Sequence, residues 1–536
     1  MRLGTARQAA QLIEDGDTVL IAGSGSGMAV PEALLAAIET RYKEDGRPRK
    51  ITAVHPVGLG NRGDELGASH FAHEGLLKRV VCGTVVDAPP IARLALENRI
   101  EAYTLPQGVL SQLVREIAGG RPGLTTHVGL NTFVDPRYQG GKQSVLATED
   151  LVRLVEHEGR EWLFYKSFKV DAALLRGTTA DEDGNISHEE EAIFGEMLSM
   201  AQAARRCGGV VIVQVKRLAR RGTLLPKNVK IPGNLVDFVV VDPQQMQTYQ
   251  TFYDPSFAGE LKIPLTSFPT LPLDERAIVA RRAALELRRD AVCNIGSGIC
   301  TGIGLVAVRE DVLDLVTLTN EQGLTGGAPG GGLDAGAARN YTAIVDQPYQ
   351  FDFYDGGGID IAFLSCVEVD AMGNVNITRF ADRLVGVGGF INISQNAKKV
   401  IFGGSFTAGG LKVAVEHGQL RIITEGRHSK FVESLAQISF SSKNAHANGQ
   451  TVFYVTERAV FSLTPDGLEL VEIAPGIDLH QDVLGRIPFD IKISERLGTM
   501  PTKVFSDVPL GLRARIEAEP VPMHPRVGAL IQTGTR

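Results

Sequence analysis

Short apolar runs alternate with amphipathic stretches along most of the chain. Apolar runs at 17–22, 50–57, 80–86 and 100–105 predict strands, and the segments 31–39 and 91–98 predict helices. Strands and helices that alternate in this way are typical of a mostly parallel sheet with helices on both faces. The pattern therefore predicts the α/β fold class.

The second half of the chain repeats features of the first. An apolar run followed by Gly-Ser-Gly occurs at 19–25 and again at 291–298. Three further pairs share one separation of 189 positions: Asp171 and Asp360, Asp181 and Asp370, and Gly184 and Gly373. The Asp-x-x-Gly-Asn pattern on its own is explained by a tight turn between strands. Its recurrence in register predicts two homologous, open, mostly parallel-sheet α/β domains joined by a linker.

The predicted domain boundary follows a segment rich in Pro, Gln and Tyr. Residues 242–272 form this linker, and a helical pattern begins at Asp274. We therefore assign 1–272 to an N-terminal domain with its linker and 273–536 to a C-terminal domain. Each part is large enough to bury a core of its own.

Composition narrows the classes of function. The chain has 536 residues, of which 43% are hydrophobic and 22% charged, and its net charge is −7. An acidic balance argues against nucleic acid or an anionic membrane as partner. The apolar runs are too short to span a bilayer, and the first residues show no secretory signal. Five scattered cysteines suit reduced thiols, so we expect a cytoplasmic protein.

Two motifs suggest ligands that the spacing does not support. The loop Gly23–Gly27 lies between a strand and a helix and is typical of an anion site. A dinucleotide site would need glycine or alanine where Met28 stands, so NAD is disfavoured. His70 and His73 could form half of a metal site, but without further ligands we predict surface histidines and no metal.

Glu321 is the strongest candidate for chemistry. It follows the β-rich run 312–318 and precedes a glycine-rich loop, which leaves its carboxylate open to a substrate. A lone glutamate before glycine is more often a solvated loop residue. When Gly58 and Gly323 are aligned, Pro56 occupies the place of Glu321, which predicts a site between the two halves. The long loop 119–142 is predicted to form a pocket wall.

Several stretches together resemble family I coenzyme A transferases, and the fused two-half layout is most similar to the propionate/acetate CoA-transferases. The similar segments are Glu321-Gln-Gly-x-x-Gly-Gly, Leu105-Pro-Gln-Gly-Val-Leu, 119–123, 132–142, 181–185, 386–392 and 406–411. Their occurrence in this order covers nearly the whole chain.

The resemblance implies roles for particular residues. Glu321 is expected to be the catalytic nucleophile, and Gln107 to line the site of the substrate carboxylate. The oxyanion donor is expected at Gly388 or Gly389, which the sequence does not separate. Loops that contact CoA or substrate are expected to include Gly25, Ser26, Gly27, Gly323, Gly326 and Phe133.

The resemblance also implies an activity. The expected reaction transfers CoA from a short-chain acyl-CoA to a carboxylic acid such as acetate or propionate, by ping-pong kinetics through a glutamyl-CoA thioester. An acyl-CoA hydrolase and a non-catalytic or sugar-phosphate-binding α/β protein are the alternatives. No cofactor beyond CoA is expected. The protein is expected to form a homodimer or a homotetramer. Basic residues that could meet the CoA phosphates, or simply be solvated, are Arg379, Arg383, Lys398 and Lys399.

Overall fold

A computed structural model describes residues 2–528, and two ten-stranded sheets organise them. The strands of the first half are β1 (Arg2–Gly4), β2 (Thr18–Ile21), β3 (Ile51–His55), β4 (Leu77–Cys82), β5 (Glu101–Thr104), β6 (Gly123–Thr126), β7 (Val152–His157), β8 (Arg160–Lys166), β9 (Ala172–Asp181), β10 (Ile186–Ser187), β11 (Val210–Ala219), β12 (Val229–Ile231) and β13 (Phe238–Val241). Its helices are α1 (Ala6–Ala10), α2 (Glu32–Asp45), α3 (Pro89–Leu96), α4 (Gln107–Ala118) and α5 (Met197–Cys207).

The second half contains more and shorter strands. They are β14 (Val292–Ile295), β15 (Thr317–Thr319), β16 (Leu324–Thr325), β17 (Ala328–Pro329), β18 (Ala338–Arg339), β19 (Ala343–Ile344), β20 (Ile361–Ser365), β21 (Glu368–Val369), β22 (Val375–Asn376), β23 (Arg379–Phe380), β24 (Arg383–Leu384), β25 (Lys399–Gly403), β26 (Thr407–Ala408), β27 (Lys412–Glu416), β28 (Gln419–Thr424), β29 (His428–Ser429), β30 (Thr451–Val455), β31 (Ala459–Thr464), β32 (Gly467–Ile473) and β33 (Lys492–Thr499). The helices are α6 (Glu275–Ala284), α7 (Thr301–Arg309), α8 (Gln347–Asp355), α9 (Phe390–Asn396), α10 (Ser442–Ala447) and α11 (Leu512–Glu517).

Each sheet has a centre of five parallel strands, arranged in the same way in both halves. Its order is β13-β11-β9-β2-β3 in the first half and β30-β25-β20-β14-β15 in the second, and every neighbouring pair is parallel. Apolar residues fill these strands, so both faces of each sheet are buried. The predicted α/β class with two similar mostly parallel sheets is confirmed.

Equivalent aspartates join equivalent strands in the two halves. Asp171 accepts a hydrogen bond from the N–H of Thr18 at 3.0 Å, and Asp360 accepts one from the N–H of Val292 at 2.9 Å. Each aspartate therefore ties the start of its half's first central strand to the neighbouring strand.

The Asp-x-x-Gly-Asn segments form the same turn twice. The amide Nδ2 of Asn185 donates to Asp181, and that of Asn374 to Asp370, both at 2.9 Å. The glycine between them has a φ of +85° at Gly184 and +80° at Gly373. A positive φ favours glycine, which explains why the residue recurs in both turns.

Two predicted strands are shorter than their apolar runs. The run 312–318 yields a strand only over Thr317–Thr319, because Val312 and Val316 are buried in the connection from α7 instead. The run 80–86 ends its strand at Cys82. Beyond that point the chain leaves the sheet, and the N–H of Val85 donates to the carbonyl O of Val385 in the other half.

The predicted linker is an ordered strap that touches both halves. The hydroxyl of Tyr249 donates to Glu32 at 2.5 Å, and Arg339 forms an ion pair with Asp254 at 2.8 Å. Residues 242–272, all of which the structure describes, contain no strand and no α-helix. The boundary between 272 and 273 stays a prediction, and residues 529–536 of the predicted C-terminal domain lie outside the described residues.

The prediction of surface histidines is wrong for His70. This side chain is buried and lies 2.7 Å from Glu32 and 2.6 Å from Glu39, and His73 lies 2.7 Å from Glu39. Hydrogen bonds to two carboxylates compensate the burial of the ring, and they raise the pKa of His70 although burial alone would lower it. Within residues 2–528, no group of three potential ligands is placed to hold a metal ion.

Candidate active site

Glu321 lies two residues beyond β15, at the edge where the parallel strands of the second sheet end. In open α/β sheets this edge is where ligands bind. The side chain is partly buried, and its Oε1 accepts a hydrogen bond from the Nε2 of Gln322 at 3.2 Å. Burial raises the pKa of Glu321, and the hydrogen bond from Gln322 partly offsets this rise. The site thus holds a carboxylate that is poorly solvated.

Gly389 lies against this carboxylate. A β-carbon built at Gly389 would be 3.5 Å from Cγ of Glu321, 3.4 Å from Phe351 and 3.2 Å from Ile393. Gly389 has a φ of −80°, which any residue adopts, so its backbone does not require glycine. The tightest of these contacts is with Ile393, and the missing side chain leaves open space beside Glu321.

The neighbouring glycine is engaged in the contact between the halves. The N–H of Gly388 donates to the carbonyl O of Gly83 at 2.8 Å, and the carbonyl O of Gly388 accepts from the N–H of Gln107 at 2.9 Å. In contrast, the N–H of Gly389 meets no acceptor among residues 2–528. Of the two glycines, Gly389 therefore has the amide free to face a ligand.

Gln107 is the first residue of α4, directly after Pro106, which ends the preceding extended segment. Its side chain is buried, and its Nε2 donates to Oε1 of Gln347 at 3.1 Å. A β-carbon built at Gly388 would lie 3.7 Å from Oε1 of Gln107. The structure therefore brings Gln107 and Glu321, which are 214 positions apart in the sequence, to two adjacent glycines.

The first glycine-rich loop forms a tight turn. Ser24 and Met28 exchange backbone hydrogen bonds at 2.8 and 3.1 Å, and Gly25, Ser26 and Gly27 lie between them. A β-carbon at Gly27 would lie 2.7 Å from the ring of Tyr249, and Ser26 accepts from the N–H of that tyrosine at 2.7 Å. Ser26 and Gly27 therefore pack against the strap.

Other residues of this loop connect it to Glu321. The Nε2 of Gln322, which contacts Glu321, lies 3.4 Å from the Oγ of Ser24. Ser24 and Gln322 are both buried. They were not among the predicted site residues, because each is a neighbour of a predicted residue and carries no signal of its own.

Gly323 and Gly326 shape the turn that follows Glu321. Their φ values are +104° and +82°, and a β-carbon at Gly323 would lie 2.0 Å from the carbonyl O of Val345. Only glycine fits such a position. These glycines therefore fix the direction in which Glu321 leaves the sheet.

Three expected positions have surroundings that the sequence did not indicate. Phe133 is fully buried, and its N–H donates to the carbonyl O of Ile438 at 2.8 Å, so it packs in the core and its contact with a ligand stays a prediction. Lys398 and Lys399 lie at the start of β25, the sheet edge opposite Glu321. They pair with Asp360 and Glu286, which explains their positive charge without a phosphate.

Comparison with known proteins places this site in a family. A family model described as "Coenzyme A transferase" matches residues 4–242. The acetate CoA-transferase YdiF of Escherichia coli K12 is 44% identical over 508 residues, which cover 95% of this chain and 96% of that protein. The caffeate CoA-transferase of Acetobacterium woodii is 45% identical over 511 residues, covering 94% and 97%.

A solved structure of a related transferase matches this chain over nearly its whole length. The crystal structure of YdiF from Escherichia coli O157:H7 in thioester complex with CoA has a TM-score of 0.90 at 43% identity, and the match covers 95% of this chain and 97% of that chain. This chain therefore belongs to the coenzyme A transferase family. The predicted family is confirmed, and with it the expectation of an enzyme.

Proposed function

We propose that this enzyme transfers CoA from a short-chain acyl-CoA to a free carboxylic acid, such as acetate or propionate, through a CoA thioester of Glu321. The observation that carries the proposal is the position of Glu321, a poorly solvated carboxylate at a sheet edge beside the free amide of Gly389. The thioester complex of the related YdiF with CoA supports the same chemistry.

The reaction requires two balanced exchanges at the carboxyl of Glu321. Its carboxylate attacks the thioester carbonyl of the acyl-CoA, and CoA leaves as the thiolate, which gives a mixed anhydride. The thiolate then attacks the glutamyl carbonyl, and the acyl group leaves as a free carboxylate. A second acid reverses these steps. A carboxylate nucleophile suits this exchange because the glutamyl thioester has nearly the energy of the substrate thioester.

Each exchange passes through a tetrahedral oxyanion that needs a hydrogen-bond donor. We assign this role to the N–H of Gly389, since the N–H of Gly388 is already donated to Gly83. A preorganised donor of this kind typically contributes about 3 kcal/mol to catalysis. The absence of a side chain at Gly389 leaves room for the substrate carbonyl beside Glu321.

The remaining roles follow from position. Gln107 is assigned to the carboxylate of the substrate. Because Gln107 is buried, neighbouring side chains must move before the acid can reach it.

Arg379 and Arg383, on the hairpin β23–β24, remain candidates for the CoA phosphates. CoA acts as substrate and covalent intermediate with no further cofactor, and the working enzyme is a cytoplasmic homo-oligomer. Among the described residues, no helix has the length and apolar content to cross a membrane.

Steady-state kinetics with two substrates tests the proposal. With propionyl-CoA and acetate varied together, double-reciprocal plots should be parallel, because one product leaves before the second substrate binds. Release of free CoA without any acid would identify a hydrolase instead. Intersecting lines would indicate direct transfer in a ternary complex and would contradict the covalent route.

A further inference from the structure

The central strands next to Glu321 carry polar side chains where the first half of the molecule has apolar ones. The equivalent aspartates before β9 and β20 bond to the first residues of β2 and β14, which aligns these two strands. In that alignment Leu20 pairs with Val54 on β3, and at the same place Asn294 pairs with Thr319 on β15. All four side chains are buried. Only the half that carries Glu321 therefore has polar residues at this place in its core.

Tyr354, on α8, joins the two polar residues into a hydrogen-bond chain. The Nδ2 of Asn294 donates to the hydroxyl O of Tyr354 at 3.2 Å, and this O lies 2.7 Å from Oγ1 of Thr319. The hydroxyl of Thr319 donates to the carbonyl O of Cys293 at 3.0 Å. Because a backbone carbonyl only accepts, the single hydroxyl proton of Thr319 is used there, and Tyr354 must donate to Thr319. The O of Tyr354 is then left as an acceptor, which requires the NH₂ group of Asn294 to face it.

Asn294 is a costly residue for a central strand. Its side chain is fully buried, and its Oδ1 meets no hydrogen-bond donor among residues 2–528. A buried acceptor without a partner destabilises a fold. Leu20 shows that the equivalent position of the other sheet accepts an apolar side chain. A role at the neighbouring site is therefore the better explanation for an asparagine here.

The hydrogen-bond chain lies beside Glu321. Thr319, the last residue of β15, precedes Glu321 by two positions. The ring of Tyr354 packs edge-on against the ring of Phe351, with 5.9 Å between their centroids, and Phe351 also borders the open space beside Glu321. Burial raises the pKa of Glu321, and Asn294 is one of the uncharged neighbours that act against this rise. An amide that presents N–H groups to a carboxylate has this effect.

We propose that Asn294 is a positioning residue, which directs the N–H not used by Tyr354 at the carboxylate of Glu321 and holds that carboxylate for attack on the acyl-CoA. An amide NH₂ group carries two hydrogens, so one nitrogen serves both partners. Tyr354 and Thr319 fix the direction of the amide. The inference rests on the proposed function, because it assigns Asn294 to the nucleophile of that reaction. Asn294 acts on the substrate only through Glu321.

Asn294→Leu installs the side chain of the first half and tests this role through the pH profile. We expect kcat/KM for propionyl-CoA at neutral pH to fall roughly tenfold, because one hydrogen bond to a charged group is lost. The acid limb, where kcat/KM decreases toward low pH, should move to higher pH by about one unit, because the ionised form of Glu321 loses a donor. A change in packing alone would lower the rate without moving the acid limb.

Tyr354→Phe tests the chain that orients the amide. It removes one oxygen atom and should move the acid limb in the same direction by a smaller amount. In an Asn294→Leu background, Tyr354→Phe should not change kcat/KM further, because the amide that it orients is absent. If Asn294→Leu does not fold, as judged by its melting curve, Tyr354→Phe alone decides, and an unchanged pH profile would then overturn the inference.

Tyr454→Phe is the matched control. Tyr454 is also buried, and its hydroxyl donates to the carbonyl O of Gly373. It lies on β30, four strands away from β15 in the same sheet. Tyr454→Phe should lower the melting temperature and leave kcat/KM and its pH profile unchanged, because the lost hydrogen bond is remote from Glu321.

The outcomes separate the two proposals. A lower kcat/KM with a raised acid limb for Asn294→Leu, and an unmoved limb for Tyr454→Phe, would support the positioning role. An unmoved acid limb for Asn294→Leu would overturn the inference, while CoA transfer by the wild-type protein stands. A wild-type protein that forms no acetyl-CoA from propionyl-CoA and acetate would instead overturn the proposed function and this inference with it.

Discussion

The ends of β3 and β15 occupy the same place in the two halves of the molecule, yet only the end of β15 carries the carboxylate that we propose as the nucleophile. Both strands flank the first central strand of their sheet in parallel. After β15 the chain presents Glu321 beside the open position at Gly389. After β3 it presents Pro56, whose carbonyl O would lie 2.2 Å from a β-carbon at Gly83, so the space there is filled by backbone.

The residue before Pro56 shows how the first half closes this strand end. His55 is buried, and its Nδ1 lies 2.6 Å from the carbonyl O of Val57. Burial lowers the pKa of His55 to about 4, which keeps the ring neutral and unsuited to binding an anion. The first half contacts the second through Gly83, whose carbonyl O accepts a hydrogen bond from the N–H of Gly388. In the proposed mechanism, one copy of the fold supports the chemistry that the other performs.

The largest expected effect on the rate of CoA exchange comes from removing the carboxylate of Glu321, which follows β15 and has no counterpart after β3. Glu321→Gln keeps size and hydrogen bonding but replaces a nucleophilic carboxylate with an amide. CoA exchange should fall by about four orders of magnitude or more, as for other lost nucleophiles. Initial rates with propionyl-CoA and acetate measure the loss, and the melting temperature checks that the fold is intact. Activity within tenfold of wild type would refute the assignment.

The next effect concerns the open position beside Glu321. Gly389→Ala places a methyl group 3.2 Å from Ile393 and in van der Waals contact with Cγ of Glu321, so it should fill the space proposed for the substrate carbonyl. A substrate carbonyl displaced by about 1 Å would react about a hundredfold more slowly. Gly498→Ala is the matched control, because that glycine on β33 has its nearest neighbour atom at 3.5 Å and no reacting group beside it. If both variants kept wild-type kcat/KM, the close approach would have no catalytic meaning.

The pH profile gives an intermediate test. Burial raises the pKa of Glu321, so the carboxylate form is lost at a higher pH than for a solvated glutamate. We expect kcat/KM for acyl-CoA to decrease as the pH is lowered through a value above 4.5, the ordinary pKa of glutamate. The stability of the fold depends on pH in the opposite direction to activity. Because the pKa of Glu321 is raised in the folded state, its contribution to stability is fully present below the unfolded pKa and is lost as the pH rises through the folded pKa. Glu321→Gln should therefore gain stability relative to wild type toward neutral pH, as measured by urea unfolding.

The smallest effects on turnover are expected where the halves are alike. Asn374→Ala removes the hydrogen bonds to Asp370 and to the N–H of Ser442, and Asn185→Ala removes those to Asp181 and the N–H of Gly233. Each variant should lose about 2 kcal/mol of stability by urea unfolding, since partly buried groups lose their partners. Turnover should change less than about threefold. Abolished activity at full stability for Asn374→Ala would place that residue in the site.

Sequence reasoning captured the features that are local in the chain. The turns at Asp181 and Asp370 and the strand before Glu321 are each encoded within a few residues, whereas the helix that begins at Gln107 was not predicted. The equal spacing of 189 positions then showed that the halves are alike. The limits of strands were less predictable. Val312 and Val316 are apolar because they are buried in the connection between α7 and β15, and they do not belong to a strand.

The parts that sequence reasoning missed depend on contacts between distant segments. Asn294 and Tyr354 meet across 60 positions, and nothing near either residue indicates the other. His70 was misassigned for the same reason, because its partners Glu32 and Glu39 lie on α2. The proposal of Gly389 over Gly388 as the oxyanion donor depends on the hydrogen bond from Gly388 to Gly83, which belongs to the opposite half.

Intact mass of the enzyme after mixing with acyl-CoA tests the central claim most directly. With propionyl-CoA and no acceptor acid, the protein should gain the mass of CoA minus one water, and peptide mapping should place the addition on Glu321. Acetate should then remove it, and Glu321→Gln should never acquire it. An unmodified protein that still transfers CoA, or an addition on any other residue, would contradict the account.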